Sequence, residues 1–330
     1  MNPQNKPNGS PVLVTGAAGF VGSHLCDDLI DRGHTVIGVD NLSTGHPALL
    51  ATLHGHPRFH FQRHDITEPL PQAMREASLI YNLACPASPA YYLRHPIATL
   101  LASSLGTWRL LELAKASGAR LLQASTSEVY GDPAVHPQAE TYWGHVNPVG
   151  PRSCYDEGKR LAEAMCCAYA REQGVSVRIA RLFNCYGPRL RPGDGRVISN
   201  FIMQALSGEP LTVYGDGRQT RSFCFVSDTV RALQALMQSS CSEPINIGNP
   251  DETTVLELAE QVLQLTGRRS PLRFEALPVD DPVRRRPDIR LARERLRWQP
   301  TVSLEDGLLA TIAHFRGLLK RKSETAAAVS

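Results

Sequence analysis

Pro11-Val12-Leu13-Val14-Thr15 is a short apolar run that ends in glycines. Val21, Leu25, Leu29 and Ile30 then recur at helical spacing over residues 19–32. The same alternation continues down the first half of the chain. Thr35–Asp40 reads as a second strand, Phe59-His60-Phe61 as a third and Ser78–Leu83 as a fourth. A long helical pattern covers 97–117, a fifth strand Arg120–Ser125, a helix Tyr155–Gln173 and a strand Val175–Arg181. Strands separated by helices need crossover connections, which implies a parallel sheet covered on both faces. The predicted class is α/β: a Rossmann-like, doubly wound parallel sheet with a smaller, mixed C-terminal lobe for substrate.

After residue 182 the rhythm shortens. Gly187-Pro188 and Arg191-Pro192-Gly193-Asp194-Gly195 read as surface loops. Helical patterns return at 197–207, 227–238, 254–266 and 303–319. The expected division is a nucleotide domain over 1–182, a substrate lobe over 183–320 and an unstructured tail over 321–330. Residues 227–250 are expected to return to the main sheet through Ile245-Asn246-Ile247. There is no internal repeat.

Composition narrows the function classes. The 330 residues are 42% hydrophobic and 20% charged, ordinary for a globular chain. A net charge of +3 and basic runs no longer than three residues, such as Arg284-Arg285-Arg286, argue against nucleic acid as partner. No apolar stretch reaches the roughly eighteen residues that span a bilayer. The polar start MNPQNKPNGS lacks the apolar core of a signal peptide. These readings predict no membrane partner and a cytoplasmic location. The eight cysteines show no CxxC, and His64, His136 and His145 have no ligand spacing, so reduced thiols and no metal site are expected.

Candidate chemistry begins at Thr15-Gly16-Ala17-Ala18-Gly19-Phe20-Val21-Gly22, whose glycines follow the first strand and open the first helix. Glycines there let the backbone approach a pyrophosphate, and the helix N-terminus offers unpaired N–H groups. Asp40, 18 residues after Gly22, ends the second strand, where a carboxylate can accept from ribose hydroxyls and would repel a 2′-phosphate. No basic residue follows it directly. The expected cofactor is therefore NAD. Its predicted surface comprises Gly16, Gly19, Phe20, Val21 and Gly22, then Asp40, Asn41, Ser43, Thr44 and Gly45, with Asp65, Ile66 and Leu83 at later strand ends.

Tyr155 and Lys159 stand four residues apart at a helix start, which puts both side chains on one face. A nearby ammonium favours phenolate, which makes the tyrosine a usable general base for an alcohol proton, and the lysine can also hold the nicotinamide ribose. About thirty residues earlier, Thr126 lies where the fifth strand runs out. In open parallel sheets chemistry gathers at that end of the strands, so its hydroxyl can orient a substrate oxygen beside Tyr155.

The glycine loop, the Ser/Thr strand end and Tyr-x-x-x-Lys resemble an extended short-chain dehydrogenase/reductase. Within that group, Leu83–Pro89, Ser125–Pro133, Thr141–Gly144, Arg152–Arg160, Asp194–Val197 and Tyr214–Arg221 resemble the UDP-glucuronate decarboxylases over about residues 11–318. The resemblance implies conversion of UDP-glucuronate to UDP-xylose: transient oxidation at C4, loss of CO2 and re-reduction. It implies Thr126, Glu128, Tyr155 and Lys159 as catalytic residues, with Glu128 acting in decarboxylation and proton transfer. It further implies substrate contacts from Ser127, Asn184, Val197, Tyr214, Arg221 and Arg285, and a homodimer built on helices 97–117 and 155–173. A 4,6-dehydratase carries Asp-Glu where this chain has Ser127-Glu128. A 4-epimerase or 4,6-dehydratase on the same fold is the alternative enzyme, and a non-catalytic NAD(H)-binding protein the alternative of another class. The chain departs from the family pattern at Leu101-Ala102-Ser103, at Pro71 and at Cys185, where the family carries Lys-Thr-Asn, an aromatic residue and Thr.

Overall fold

The computed structural model describes residues 9–277 and 284–329. The polar start read for a signal peptide thus lies, up to residue 8, outside the described residues.

In chain order the first half comprises β1 (Val12–Thr15), α1 (Phe20–Asp31), β2 (Val36–Asp40), β3 (Phe59–Arg63), β4 (Leu79–Asn82), α2 (Pro89–Tyr92), α3 (Pro96–Leu101), α4 (Thr107–Ser117), β5 (Arg120–Thr126), α5 (Ser153–Gln173) and β6 (Val177–Leu182). The second half comprises β7 (Cys185–Tyr186), α6 (Val197–Ser207), β8 (Leu211–Tyr214), β9 (Thr220–Ser222), β10 (Cys224–Phe225), α7 (Val226–Gln238) and β11 (Pro244–Ile247). It closes with β12 (Glu252–Thr254), α8 (Val255–Thr266), β13 (Leu272–Glu275), β14 (Arg284–Arg285), α9 (Arg290–Leu296) and α10 (Leu304–Val329).

Seven parallel strands form one sheet in the order β11-β6-β5-β4-β1-β2-β3. The order reverses between β1 and β4, which opens a crevice beyond their carboxyl ends. One core layer packs α1 and α7 on the sheet through Leu25, Leu29, Leu233 and Leu236. The other packs α4 and α5 on the opposite face through Leu110, Leu111 and Cys166. A third core, around Phe201, Leu258 and Phe315, holds the C-terminal lobe together. The strand Pro244–Ile247 lies beside β6, register Ile245 to Ala180, so the late chain completes the early sheet.

Two elements differ from the pattern. The single helix expected over 97–117 is divided by a π-helical stretch, Ala102–Gly106. Gly106 there lies so close to Ile66 that a Cβ would sit 2.5 Å from its Cδ1. The tail expected without structure is helical in α10 as far as Val329. Its Ala326-Ala327-Ala328 run has the strongest helix propensity of any residue type. Among the described residues no helix is long and apolar enough to cross a membrane.

Candidate active site

A cleft of about 1100 Å³ runs from the glycine loop, past the ends of β4 and β5, to the C-terminal lobe. At its glycine-loop end Gly16 adopts φ +72°, and a Cβ on it would lie 2.7 Å from the Leu83 carbonyl oxygen. A Cβ on Gly22 would strike the Gly16 carbonyl. The loop therefore needs bare backbone at both positions, which brings its amides to the cleft.

Asp40 accepts the Ala18 N–H at 3.0 Å and the Leu42 N–H at 2.8 Å. A carboxylate offers about four lone-pair positions, so two remain for a ligand. Burial raises its pKa, against the two backbone bonds. Asp65 accepts from Asn41 at 2.8 Å and from the Thr67 amide and hydroxyl at 2.9 and 2.7 Å. Burial opposes its ionisation, yet these bonds leave its pKa lowered. Gly19, Phe20, Val21, Asn41, Ser43 and Thr44 share this wall, with Ile66 and Leu83 below them. Gly45 does not reach it. That glycine lies behind Asp40, where a Cβ would come within 2.8 Å of either carboxylate oxygen.

At the centre, Thr126 ends β5 and Tyr155 lies in the first turn of α5. The Thr126 hydroxyl lies close enough to the Tyr155 phenol to favour its ionised form. Thr126 Oγ1 also accepts the Glu128 N–H at 3.3 Å, which starts the short 3-10 turn Ser127–Tyr130. Lys159 is 5% exposed, donates to the Ala124 carbonyl at 2.9 Å and lies 5.7 Å from the Tyr155 ring centroid. The sequence reading expects Lys159 and the positive ring of bound NAD together to lower the phenol's pKa. Among the chain's own groups burial pushes it up, as do Cys85 and Glu128, against the Thr126 hydroxyl.

At the far end Arg285 grips Glu128 with both terminal nitrogens, one at 2.8 Å from Oε2. Arg152 donates to the same Oε2 at 2.6 Å. Burial opposes ionisation of Glu128, but the two guanidiniums outweigh it and hold the carboxyl at about 2. Glu128 is thus a fixed anion here, and a role as acid would require that pairing to open. Ser127, Asn184, Val197, Tyr214 and Arg221 line the surrounding walls. Arg284 and Arg286 do not, and Arg286 lies 3.8 Å from Glu252 outside the cleft. Of the departures, Leu101, Ala102 and Cys185 line the cleft, whereas Pro71 and Ser103 do not.

Sequence reasoning passed over two members of the site. Tyr92 stacks on Tyr155, centroids 5.0 Å apart and planes 5° from parallel. Arg152 joins Glu128 across 24 residues. Its position three residues before Tyr155, on the same helix start, was the available signal.

The residues fit a dinucleotide at one end of the cleft, on the bare glycine cradle and the two free lone pairs of Asp40. Among the described residues no cluster could hold a metal ion. Fold and site together define a dinucleotide-binding α/β protein. Residues 12–248 match the NAD dependent epimerase/dehydratase family, and the chain belongs to it.

UDP-glucuronic acid decarboxylase 1 of Xenopus tropicalis is 54% identical over 312 residues, 94% of this chain and 73% of its own length. Two solved structures are similar throughout. The UDP-glucose 4-epimerase of Thermotoga maritima, with UDP-glucose, superposes with a TM-score of 0.86 at 33% identity, covering 94% of this chain and 99% of that one. The UDP-glucuronic acid 4-epimerase of Bacillus cereus, with UDP-glucuronic acid and NAD, gives 0.85 at 30% identity, covering 93% and 99%.

Proposed function

We propose that this protein is an NAD-dependent enzyme that decarboxylates UDP-glucuronate to UDP-xylose. The carrying observation is one cleft in which the Thr126–Tyr155 hydroxyl pair and Lys159 stand between the glycine loop and the Arg285–Glu128–Arg152 cluster. Curated relatives at 52–55% identity over most of the chain carry the same activity in their names.

An acid on sugar C5 holds its CO2 because the departing electrons have nowhere to go. A ketone at C4 makes it a β-keto acid: CO2 leaves, its electrons enter an enolate, and a proton from solvent adds at C5 before C4 is reduced. NAD, when bound, supplies hydride acceptance from C4 and hydride return. Tyr155 takes the C4 hydroxyl proton and later gives it back, while Thr126 fixes the reacting oxygen. Lys159 holds the nicotinamide ribose. Arg285 and Arg152 provide positive charge at the acidic end of the sugar, with Ser127 beside it. Asn184 and Arg221 hold the nucleotide side of the substrate, and Val197 and Tyr214 flank the base. Retaining the sugar in one site through both hydride steps returns the cofactor to its starting state.

The working unit in this reading is a cytoplasmic homodimer. Ile97, Trp108 and Leu161, each more than two-fifths exposed on the helices expected to pair, support the dimer.

Incubation with UDP-glucuronate and NAD tests the assignment. It predicts release of CO2 and a product lighter by that mass. A 4-epimerase, the second reading and the one the Bacillus cereus likeness favours, yields a product of unchanged mass.

A further inference from the structure

Asp156 follows the catalytic tyrosine and has no role in the chemistry above. It is 7% exposed, its Oδ1 has no hydrogen-bond partner, and its Oδ2 lies 4.0 Å from Arg152 Nε. The charges therefore alternate along a chain: Arg285, Glu128, Arg152, Asp156. Two guanidiniums stand against two carboxylates. With Asp156 ionised the cluster is neutral, and with Asp156 protonated it carries one positive charge. The other groups facing Asp156 are Glu157 and Cys154 on its own helix and Tyr92 from α2.

We propose that Asp156 is a positioning residue for Arg152 that takes up a proton when an acidic sugar enters the cleft, so that Arg152 and Arg285 meet the incoming carboxylate with net positive charge. This inference rests on UDP-glucuronate as substrate, and its logic is electrostatic. A new anion beside two buried guanidiniums competes with the carboxylates already there. Glu128 is gripped by both arginines and keeps its charge. Asp156, at the chain's end with one oxygen unpartnered, is the member that yields. Burial first and Glu128 second push its pKa up, against Arg152 and Arg285, to about 7, so a small perturbation decides its state near neutrality. A neutral sugar brings no such anion. The device therefore favours acidic sugars over neutral ones, and does so more at lower pH.

Calorimetry with the NAD-loaded Tyr155→Phe protein, which binds without turnover, reads the proton directly when run near pH 7 in buffers of different ionisation enthalpy. UDP-glucuronate is expected to bind with uptake of up to one proton, and UDP-glucose with none. Tyr155→Phe/Asp156→Asn is expected to bind UDP-glucuronate with no uptake. In the otherwise intact enzyme, KM for UDP-glucuronate should rise about tenfold per pH unit above neutrality while kcat stays level. Asp156→Asn should flatten that rise. Equal uptake with both ligands, uptake surviving in the double variant, or a flat KM profile in the intact enzyme would each overturn the proposal. Absence of CO2 release overturns the decarboxylase reading instead, and leaves the proton count to be read separately.

Discussion

The Tyr155 hydroxyl sits among groups that favour its proton, burial above all. The chain's own residues therefore keep it a phenol, and base strength has to come with the positive nicotinamide ring. Tyr155→Phe should lower CO2 release by roughly 10²- to 10⁴-fold, the usual worth of a positioned acid–base group, with the fold unchanged by circular dichroism. Glu128 makes a different case. Glu128→Gln removes the anion between Arg152 and Arg285, whose side chains are only 14% and 6% exposed. Leaving buried charges unpaired costs about 3–5 kcal/mol, so denaturant melts should show the loss. Its pKa of about 2 lies below the ordinary 4.5. The stabilisation is therefore present above pH 4.5 and lost as pH falls toward 2, and Glu128→Gln should weaken the acid dependence of unfolding over that window. Leu101, 44% exposed on the cleft wall, stands where the family resemblance expects a lysine. Leu101→Lys should lower KM for UDP-glucuronate roughly 1.4- to fivefold, an exposed pair's 0.2–1 kcal/mol, and lose the gain in high salt.

Elements decide which of these residues meet. The capping box of α8, in which Thr254 accepts the Glu257 N–H at 3.1 Å and Glu257 accepts the Thr254 N–H at 2.8 Å, fixes one wall of the C-terminal lobe. Thr254→Ala should cost about 1 kcal/mol by denaturant titration and leave NAD binding unchanged. Arg285 reaches Glu128 because β14 is seated by buried Gln138, whose N–H donates to the Arg286 carbonyl and whose Oε1 accepts the Arg286 N–H, both at 2.9 Å. Local pattern made the helices legible: α6 starts and stops at the predicted residues, and α5 ends where Gly174 turns left-handed at φ +65°. The Thr126, Tyr155 and Lys159 set was legible for the same reason, since a strand end and one helical turn position it. The Arg285–Glu128 pair spans 157 residues, and periodicity carries no information on that scale. The Asp156 end of the cluster was invisible because its meaning depends on burial, and the π-helical stretch because it depends on how closely Ile66 approaches.

At the scale of the molecule, the alternating strand and helix rhythm foretold a parallel sheet, while the irregular second half showed only its helices. The small sheets β12-β9-β14 and β13-β8 rest on pairings between short segments far apart in sequence. The boundary drawn near residue 182 cuts through one packed body, because β11 lies against β6, and Leu233, Leu236 and Ile247 share a core with Leu25 and Leu29. Nascent chain leaving the ribosome consequently presents six strands before the seventh exists. Until residue 247 has emerged, the outer edge of β6 is bare backbone, a template for adhesion to other chains. Translation that pauses short of that point should yield aggregates, detectable by sedimentation of a product ending at residue 182. Synthesis and assembly are tied together here by a strand that arrives late.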